Sequence, residues 1–296
     1  MARATGQAAE RPVRALPLVA ALLTCLAAPA FFVLLIPWLG WTLLAAGLAV
    51  AVVADRADGH VPWRRAAASP SSGAPAPRPS LARDLSLIAA GMLVVSAIPL
   101  AAELDNAAML RFTLALGGAV VVPYVVSRFV YRDRAIRFPW RGGGRWRPMQ
   151  WGWLVAVLAL GWLILPFYFV TSGVYLNWPV VDTPDLIARL FVGVGAVGIW
   201  DELFFICTVF ALLLRHFPTA VANGLQAIVF VSFLWELGYR AWGPVLTIPF
   251  ALLQGWIFLR TRSLAYVVTV HLLFDAVVFL VLVHAHNPGA LPLFLV

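Results

Sequence analysis

The sequence predicts an all-α, polytopic membrane protein with about nine transmembrane helices. Hydrophobic residues make up 62% of the 296 positions, enough for roughly nine spans of about 20 residues each. Charged residues account for only 11%, against about 25% in an ordinary soluble domain, so a soluble enzyme is excluded. The basic residues are all Arg, and the formal net charge is +8. In so apolar a chain this balance indicates loops that face anionic membrane lipids and not a nucleic-acid surface.

Each span is predicted where about 20 apolar residues run almost without charge. In chain order these stretches cover residues 15–36, 38–54, 85–102, 107–127, 151–172, 187–214, 218–237, 243–259 and 263–284. A stretch rich in Ala, Pro and Ser separates the first two spans from the others, and this composition is typical of a flexible linker. We therefore divide the chain into an N-terminal helix pair (1–65), a cytoplasmic linker (66–84), three spans with a basic loop (85–184) and four core helices (185–296).

The Arg residues predict the orientation of these spans, because cytoplasmic loops carry the excess of basic residues. With the N-terminus inside, the cytoplasmic segments hold 18 of the 21 Arg, seven of them between Arg128 and Arg147. The opposite loops carry acidic residues, namely Glu103, Asp105, Asp182 and Asp185. This alternation predicts a multi-pass protein of the cell (plasma) membrane with a cytoplasmic N-terminus. An odd number of spans places the C-terminus outside.

Five ionisable residues stand inside predicted spans, where an unpartnered charge is costly. Asp201 and Glu202 interrupt the sixth span, Glu236 lies near the end of the seventh, and His271 and Asp275 lie in the ninth. Counted from the cytoplasmic ends at about 1.5 Å per residue, Glu202 and Asp275 are about 19 Å deep and His271 about 13 Å. We therefore expect Asp201, Glu202, His271 and Asp275 to meet in one water-accessible cavity.

These residue types suit metal and acid–base chemistry. One imidazole with up to three carboxylates is enough for a zinc-bound water and a general base. The same residues can also have purely structural roles. Glu236 precedes Arg240 by four residues and can simply pair with it, and His271 with Asp275 can form a hydrogen-bonded pair that fixes helix packing.

Three segments carry a resemblance to a known family. The run Gly198-Ile199-Trp200-Asp201-Glu202-Leu203-Phe204-Phe205-Ile206 is followed about 60 residues after its start by Leu259-Arg260-Thr261-Arg262-Ser263-Leu264 and then by His271-Leu272-Leu273-Phe274-Asp275. Together they resemble the CPBP family of intramembrane metalloproteases, which includes CAAX prenyl endopeptidases and bacteriocin-processing or immunity proteins. Its members carry a Glu-Glu-x-x-x-Arg motif, a Phe-x-x-x-His motif one helix later and a His-x-x-x-Asn/Asp motif near the end.

The first two motifs are degenerate here. Asp201 stands where the family has its first Glu, and Ile206 stands where it has Arg. In the second motif, the residue four positions after Phe230 is Leu234 and the one four positions after Phe233 is Leu237, so neither register supplies His.

The third motif is complete, and roles follow for the residues that match. The resemblance implies that Asp201 or Glu202 is the base that activates water and that His271 and Asp275 hold a divalent metal ion, with zinc as the expected ion. Glu236 is the nearest candidate to replace the missing His of the second motif as a metal ligand. One His with carboxylates is a poorer zinc site than the usual two or three nitrogen or sulfur ligands and suits a harder metal better.

Three functions are compatible with this sequence. The first is an intramembrane metallo-endopeptidase that cleaves a membrane-associated peptide or protein. The second is a catalytically impaired relative that acts as a membrane scaffold or immunity factor. The third is a proton-coupled transporter that uses the same buried carboxylates. It ranks last because paired inverted repeats and matching broken helices are not visible in the sequence.

Overall fold

The computed structural model describes residues 13–59, 79–289 and 293–294, and within these ranges all regular secondary structure is helical. The α-helices are, in chain order, α1 (Ala15–Phe32), α2 (Pro37–Ala57), α3 (Leu81–Val95), α4 (Asn106–Val125), α5 (Pro148–Pro166), α6 (Pro184–Asp201), α7 (Ala211–Leu213), α8 (Thr219–Leu237), α9 (Gly243–Thr261) and α10 (Leu264–His286). Three of them continue in π-helical turns: Val126–Val130 after α4, Phe167–Thr171 after α5 and Glu202–Phe210 after α6. A short 3₁₀ helix covers Val174–Asn177. The predicted all-α class is confirmed.

Eight helical stretches among the described residues are long and apolar enough to cross a membrane. Many of their large apolar side chains face outward: Leu114, Phe129, Val155 and Leu163 are between 66% and 74% exposed. An aqueous surface does not favour such a belt, whereas lipid tails do. The chain is a multi-pass membrane protein, and its orientation in the membrane stays a prediction.

The predicted span at 85–102 differs most from the structure. Its helix, α3, covers only Leu81–Val95, about 22 Å, which is shorter than the hydrocarbon layer of about 30 Å. The helix stops before Pro99, because a proline cannot donate a helical hydrogen bond and disfavours helical backbone in the residue before it. Leu100 in the non-helical segment that follows is fully buried. Irregular backbone of this kind is tolerated at membrane depth only where protein satisfies its polar groups.

Residues 66–78 of the predicted linker lie outside the described residues, and α3 begins inside its last part, at Leu81. The start of α3 is fixed by Asp55 at the end of α2. The Asp55 carboxylate accepts hydrogen bonds from the Ser80 hydroxyl (2.6 Å) and from the N–H groups of Leu81 (3.0 Å) and Ala82 (3.1 Å). These bonds satisfy N–H groups that the first turn of a helix leaves free.

The basic loop between α4 and α5 packs against the turn that leads into α10. Leu264 and Ala265 donate N–H groups to the carbonyls of Pro139 (2.9 Å) and Trp140 (3.4 Å). Gly142 approaches the Arg262 carbonyl so closely that a side chain there would collide with it. The Gly-rich part of the loop therefore fixes the start of α10, the helix that carries His271.

The four core helices pack against one another and against helices from the first part of the chain. α10 packs against α5 and α6, α8 packs against α1 and α9, and the π-helical segment after α6 contacts α8, α9 and α10. This arrangement places the end of α6 beside α8, α9 and α10.

Candidate active site

His271 on α10 lies at the centre of a buried polar group. Its Nδ1 is 2.8 Å from Glu202 Oε1, and its Nε2 is 3.4 Å from Asp201 Oδ2 and 3.9 Å from Asp275 Oδ1. The four residues are between 1% and 7% exposed. The structure thus brings together the four residues that the depth argument places at one level, and we call them the His271 cluster. Their chemical roles stay predictions.

The local winding of the chain explains why both acidic residues of α6 reach the same imidazole. The α-helix ends at Asp201 and a π-helical segment begins at Glu202. A π-helical turn contains more residues than an α-helical turn, so successive side chains point in less different directions than they do in an α-helix. With α-helical spacing, the two adjacent side chains would point about 100° apart around the helix. In the structure each carboxylate contacts a different nitrogen of His271.

Gly198 makes room for the Asp275 carboxylate. A side-chain carbon at this position would collide with Asp275 Oδ2 and would lie 3.5 Å from His271 Cδ2. Since Gly198 precedes Asp201 by one turn, the missing side chain allows α10 to bring Asp275 close to the backbone of α6. The close approach of the two helices depends on this glycine.

Sequence reasoning missed Gln254 on α9. Its Nε2 donates to Glu202 Oε1 at 2.6 Å and to the Val267 carbonyl at 3.2 Å, and the residue is 2% exposed. A polar side chain in the middle of the apolar span 243–259 was the available signal. This signal is weaker than that of Asp201 or His271, because an uncharged amide costs less to bury in a membrane than an ionisable group.

Three oxygens of the site have no hydrogen-bond donor among the described residues. They are Asp201 Oδ1, Glu202 Oε2 and Gln254 Oε1, all buried. Buried polar atoms are nearly always satisfied by protein or water, so these acceptors indicate a place where water or the polar part of a ligand is bound.

A cavity of about 360 Å³ leads to the cluster. Asp201, His271 and Asp275 line it, and Glu202 does not. Most other lining residues are apolar and come from α4, α6, α8, α9 and α10; the cavity extends to Glu103 and Leu104 before α4. It can hold an apolar chain with one polar group at its inner end.

The second degenerate motif faces the same cavity. Leu234 and Leu237, which stand at the two registers where the resembled family has His, both line it. The aromatic ring of Phe250 packs edge-on against His271, with ring centroids 4.9 Å apart. These positions therefore present an apolar wall, and no imidazole joins His271 from them.

Glu236 makes its hydrogen bond away from the cluster, and its role as a substitute metal ligand stays a prediction. Its Oε1 accepts the N–H of Leu100 at 3.1 Å, in the non-helical segment after α3. The physical reason is the early end of α3: a buried N–H without a helical partner needs an acceptor, and Glu236 supplies it.

The zinc ion implied by the resemblance has no ready set of ligands. Among the residues that the structure describes, no three His, Cys, Asp or Glu side chains are arranged to hold a metal ion. Both nitrogens of His271 contact carboxylates, whereas zinc needs a nitrogen directed at the ion. The donor set in this arrangement does not fit a zinc centre. The divalent metal stays a prediction.

Comparison with known proteins supports the family. Residues 182–277, about a third of the chain, match the family model of type II CAAX prenyl endopeptidase Rce1-like proteins, and the His271 cluster lies within the matched residues. No curated protein and no solved structure matches the chain. The family match confirms the resemblance carried by the motifs. It supports a CAAX-type intramembrane protease in general terms and specifies neither a substrate nor a metal.

Proposed function

We propose that this protein is an intramembrane endopeptidase that hydrolyses a membrane-associated peptide at the His271 cluster. The observation that carries the proposal is the placement of one imidazole between carboxylates at the inner end of an apolar cavity: Glu202 is 2.8 Å from Nδ1 and Asp201 is 3.4 Å from Nε2. Several ionisable groups in contact share and exchange protons, which hydrolysis of an amide requires.

Asp201 is the base in this proposal. It lines the cavity, and its Oδ1 has no donor among the described residues, so a water bound there can transfer a proton to it. Glu202 does not line the cavity and instead contacts Nδ1 of His271. Because a carboxylate accepts, Nδ1 carries the hydrogen of this bond, and Nε2 is directed towards Asp201 and the cavity.

The proposed reaction is a direct attack of water on the peptide carbonyl. The water oxygen bonds to the carbonyl carbon while Asp201 takes one of its protons. The C–N bond then breaks, and the leaving nitrogen receives a proton from the Nε2–H of the His271 imidazolium or from the carboxyl group of Asp275. The products are a carboxylic acid and an amine. Asp201 then returns the proton it took to the group that donated one, to Nε2 of His271 directly or to Asp275 through this imidazole, so atoms and protons balance and the site regains its starting state.

Tyr239 is the proposed donor to the oxygen that becomes negative during this attack. It lines the cavity in the segment between α8 and α9. Burial, and then the nearby carboxylates of Asp275 and Asp201, raise the pKa of Tyr239 well above its ordinary value. The phenol therefore keeps its proton and can donate to the developing oxyanion.

The substrate we propose is a peptide with an apolar segment beside the scissile bond, held in the cavity of about 360 Å³. We further propose the plasma membrane as the location, with the seven Arg between Arg128 and Arg147 on the cytoplasmic side. Lipids surround the outward apolar side chains.

A pair of matched variants tests the activity. Asp201→Asn removes the base with almost no change in size, and Asp185→Asn makes the same change on the same helix at a carboxylate that is 73% exposed and paired with Arg189. We expect Asp201→Asn to lower cleavage of a membrane-tethered peptide library by about 10²- to 10⁴-fold and Asp185→Asn to retain the wild-type rate. Undiminished cleavage by Asp201→Asn, or no cleavage by the wild type, would refute the proposal and favour the scaffold.

A further inference from the structure

Gln254 occupies a position between three helices. From α9, its amide reaches Glu202 at the end of α6 (2.6 Å) and the Val267 carbonyl of α10 (3.2 Å). Val267 precedes His271 by one helical turn. A single side chain therefore ties the carboxylate that contacts His271 to the helix that carries His271.

The orientation of the Gln254 amide follows from its partners. A carboxylate oxygen and a backbone carbonyl are both acceptors, so only the NH₂ group of Gln254 can serve them. Its carbonyl oxygen then points away from both and has no donor among the described residues. Within 4.0 Å, the described cationic partner of Glu202 is His271, so the amide supplies the second hydrogen bond to this carboxylate without adding a charge.

The backbone of α9 beside Gln254 is itself held in place from α8. Asn223 Nδ2 donates to the Leu252 carbonyl at 2.7 Å, and Gln226 Nε2 donates to the Ala251 carbonyl at 2.9 Å. Gly255 allows this approach, since a side chain there would collide with the Asn223 amide. The segment 251–255 is thus fixed on one side by α8 and presents Gln254 on the other side to Glu202.

We infer that Gln254 is a positioning residue of the proposed peptidase: by its hydrogen bond to Glu202 it holds this carboxylate against Nδ1 of His271. The inference rests on the function proposed above. A fixed Glu202 keeps the hydrogen on Nδ1 and keeps Nε2 directed at Asp201 and the cavity. Without the Gln254 amide, Glu202 loses one of its two hydrogen bonds and can turn away from the imidazole. Partners behind a catalytic group act in this way, and their loss costs about 10- to 100-fold in activity.

Gln254→Met tests the inference against Gln226→Met. Both variants replace a fully buried glutamine by an apolar side chain of similar length, but the bonds of Gln226 go only to Asn223 and Ala251. We expect Gln254→Met to lower kcat for a membrane-tethered peptide by about 10- to 100-fold, with KM almost unchanged. Gln226→Met loosens the backbone of α9 but keeps the Gln254 amide that donates to Glu202, so we expect it to lower kcat by less. Equal kcat in both variants, high or low, would overturn the inference, because equal losses indicate a general effect on packing.

A third variant makes the hydrogen bond to Glu202 depend on pH, which a change in packing alone does not do. Gln254→Glu can donate to Glu202 only while its carboxyl group is protonated. Relative to the wild type, its kcat should therefore fall as the pH rises, and a parallel pH profile for the two proteins would contradict the role as donor.

A spectroscopic measurement separates this inference from the proposed function. In ¹⁵N-histidine-labelled protein, the Nδ1–H signal of His271 is identified by its loss in His271→Gln. This signal should move in Gln254→Met and move less in Gln226→Met, which keeps the Gln254 amide. This readout needs no peptidase activity, so it tests Gln254 even if no peptide is cleaved. An unchanged His271 signal in Gln254→Met would overturn the inference, whatever the activity.

Discussion

Replacing Gly198 by Ala tests whether the close contact of α6 and α10 holds the site together. The added carbon would collide with Asp275 Oδ2 and lie 3.2 Å from Asp275 Cγ, so the carboxylate has to move. Asp275 Oδ1 is already 3.9 Å from His271 Nε2, and a further displacement breaks this contact. Gly195→Ala is the matched control on the same helix, because a side-chain carbon there meets nothing within 4 Å.

Two terms set the expected stability of the Gly198 variant. Alanine favours a helix interior over glycine by about 0.8–1.0 kcal/mol, and this gain applies to both variants. Overpacking costs about 1–3 kcal/mol and applies only at Gly198. We therefore expect Gly198→Ala to be about 1–3 kcal/mol less stable than Gly195→Ala. A misplacement of about 1 Å in the site is also expected to lower cleavage about 10²-fold.

Thermal unfolding in detergent and peptide cleavage by the folded protein measure the two effects. Gly195→Ala should unfold at or above the wild-type temperature and cleave at the wild-type rate. If Gly198→Ala behaves like Gly195→Ala in both assays, Asp275 is not held against the backbone of α6 and the described geometry of the cluster is wrong.

The remaining predictions concern Glu236 and Tyr239. Glu236→Leu leaves the buried N–H of Leu100 without its acceptor and should lower the free energy of unfolding by about 1–3 kcal/mol, with the cleavage rate of the folded fraction unchanged. Glu236→Gln retains an acceptor oxygen, so its stability and its cleavage rate should stay near those of the wild type. A loss of catalysis in both variants would instead indicate that Glu236 acts in the active site. Tyr239→Phe should lower kcat by about 10²- to 10³-fold at every pH where the raised pKa keeps the wild-type phenol protonated. Tyr168→Phe is its control, because the Tyr168 hydroxyl donates to the Arg240 carbonyl (2.7 Å) and Tyr168 does not line the cavity; equal kcat in the two variants would exclude Tyr239 as the oxyanion donor.

The fold class was predictable because it depends on composition and on the length of apolar runs. The sixth span, predicted at 187–214, is the helical stretch Pro184–Leu213. The failure at 85–102 has a physical reason. Hydropathy measures whether side chains suit an apolar environment, and it does not show whether the backbone stays helical after Val95 or which side chain satisfies the N–H of Leu100.

The site was predictable to the extent that charge inside a membrane is costly. Depth counting brought Asp201, Glu202, His271 and Asp275 to one level, and the structure places them in contact. Three further features of the site could not be predicted from the sequence. The π-helical winding after Asp201 has no simple sequence pattern, the contact of Gly198 with Asp275 depends on helix packing, and Gln254 is uncharged.

A double-mutant cycle tests whether the His271 cluster works as one hydrolytic unit. Cleavage of one membrane-tethered peptide is measured for the wild type, Asp201→Asn, His271→Gln and the double variant. Groups that act as a unit are strongly non-additive, so we expect the double variant to cleave no more slowly than the slower single variant. If the two losses multiply, or if either single variant cleaves at the wild-type rate, Asp201 and His271 do not act together and the proposed mechanism is wrong.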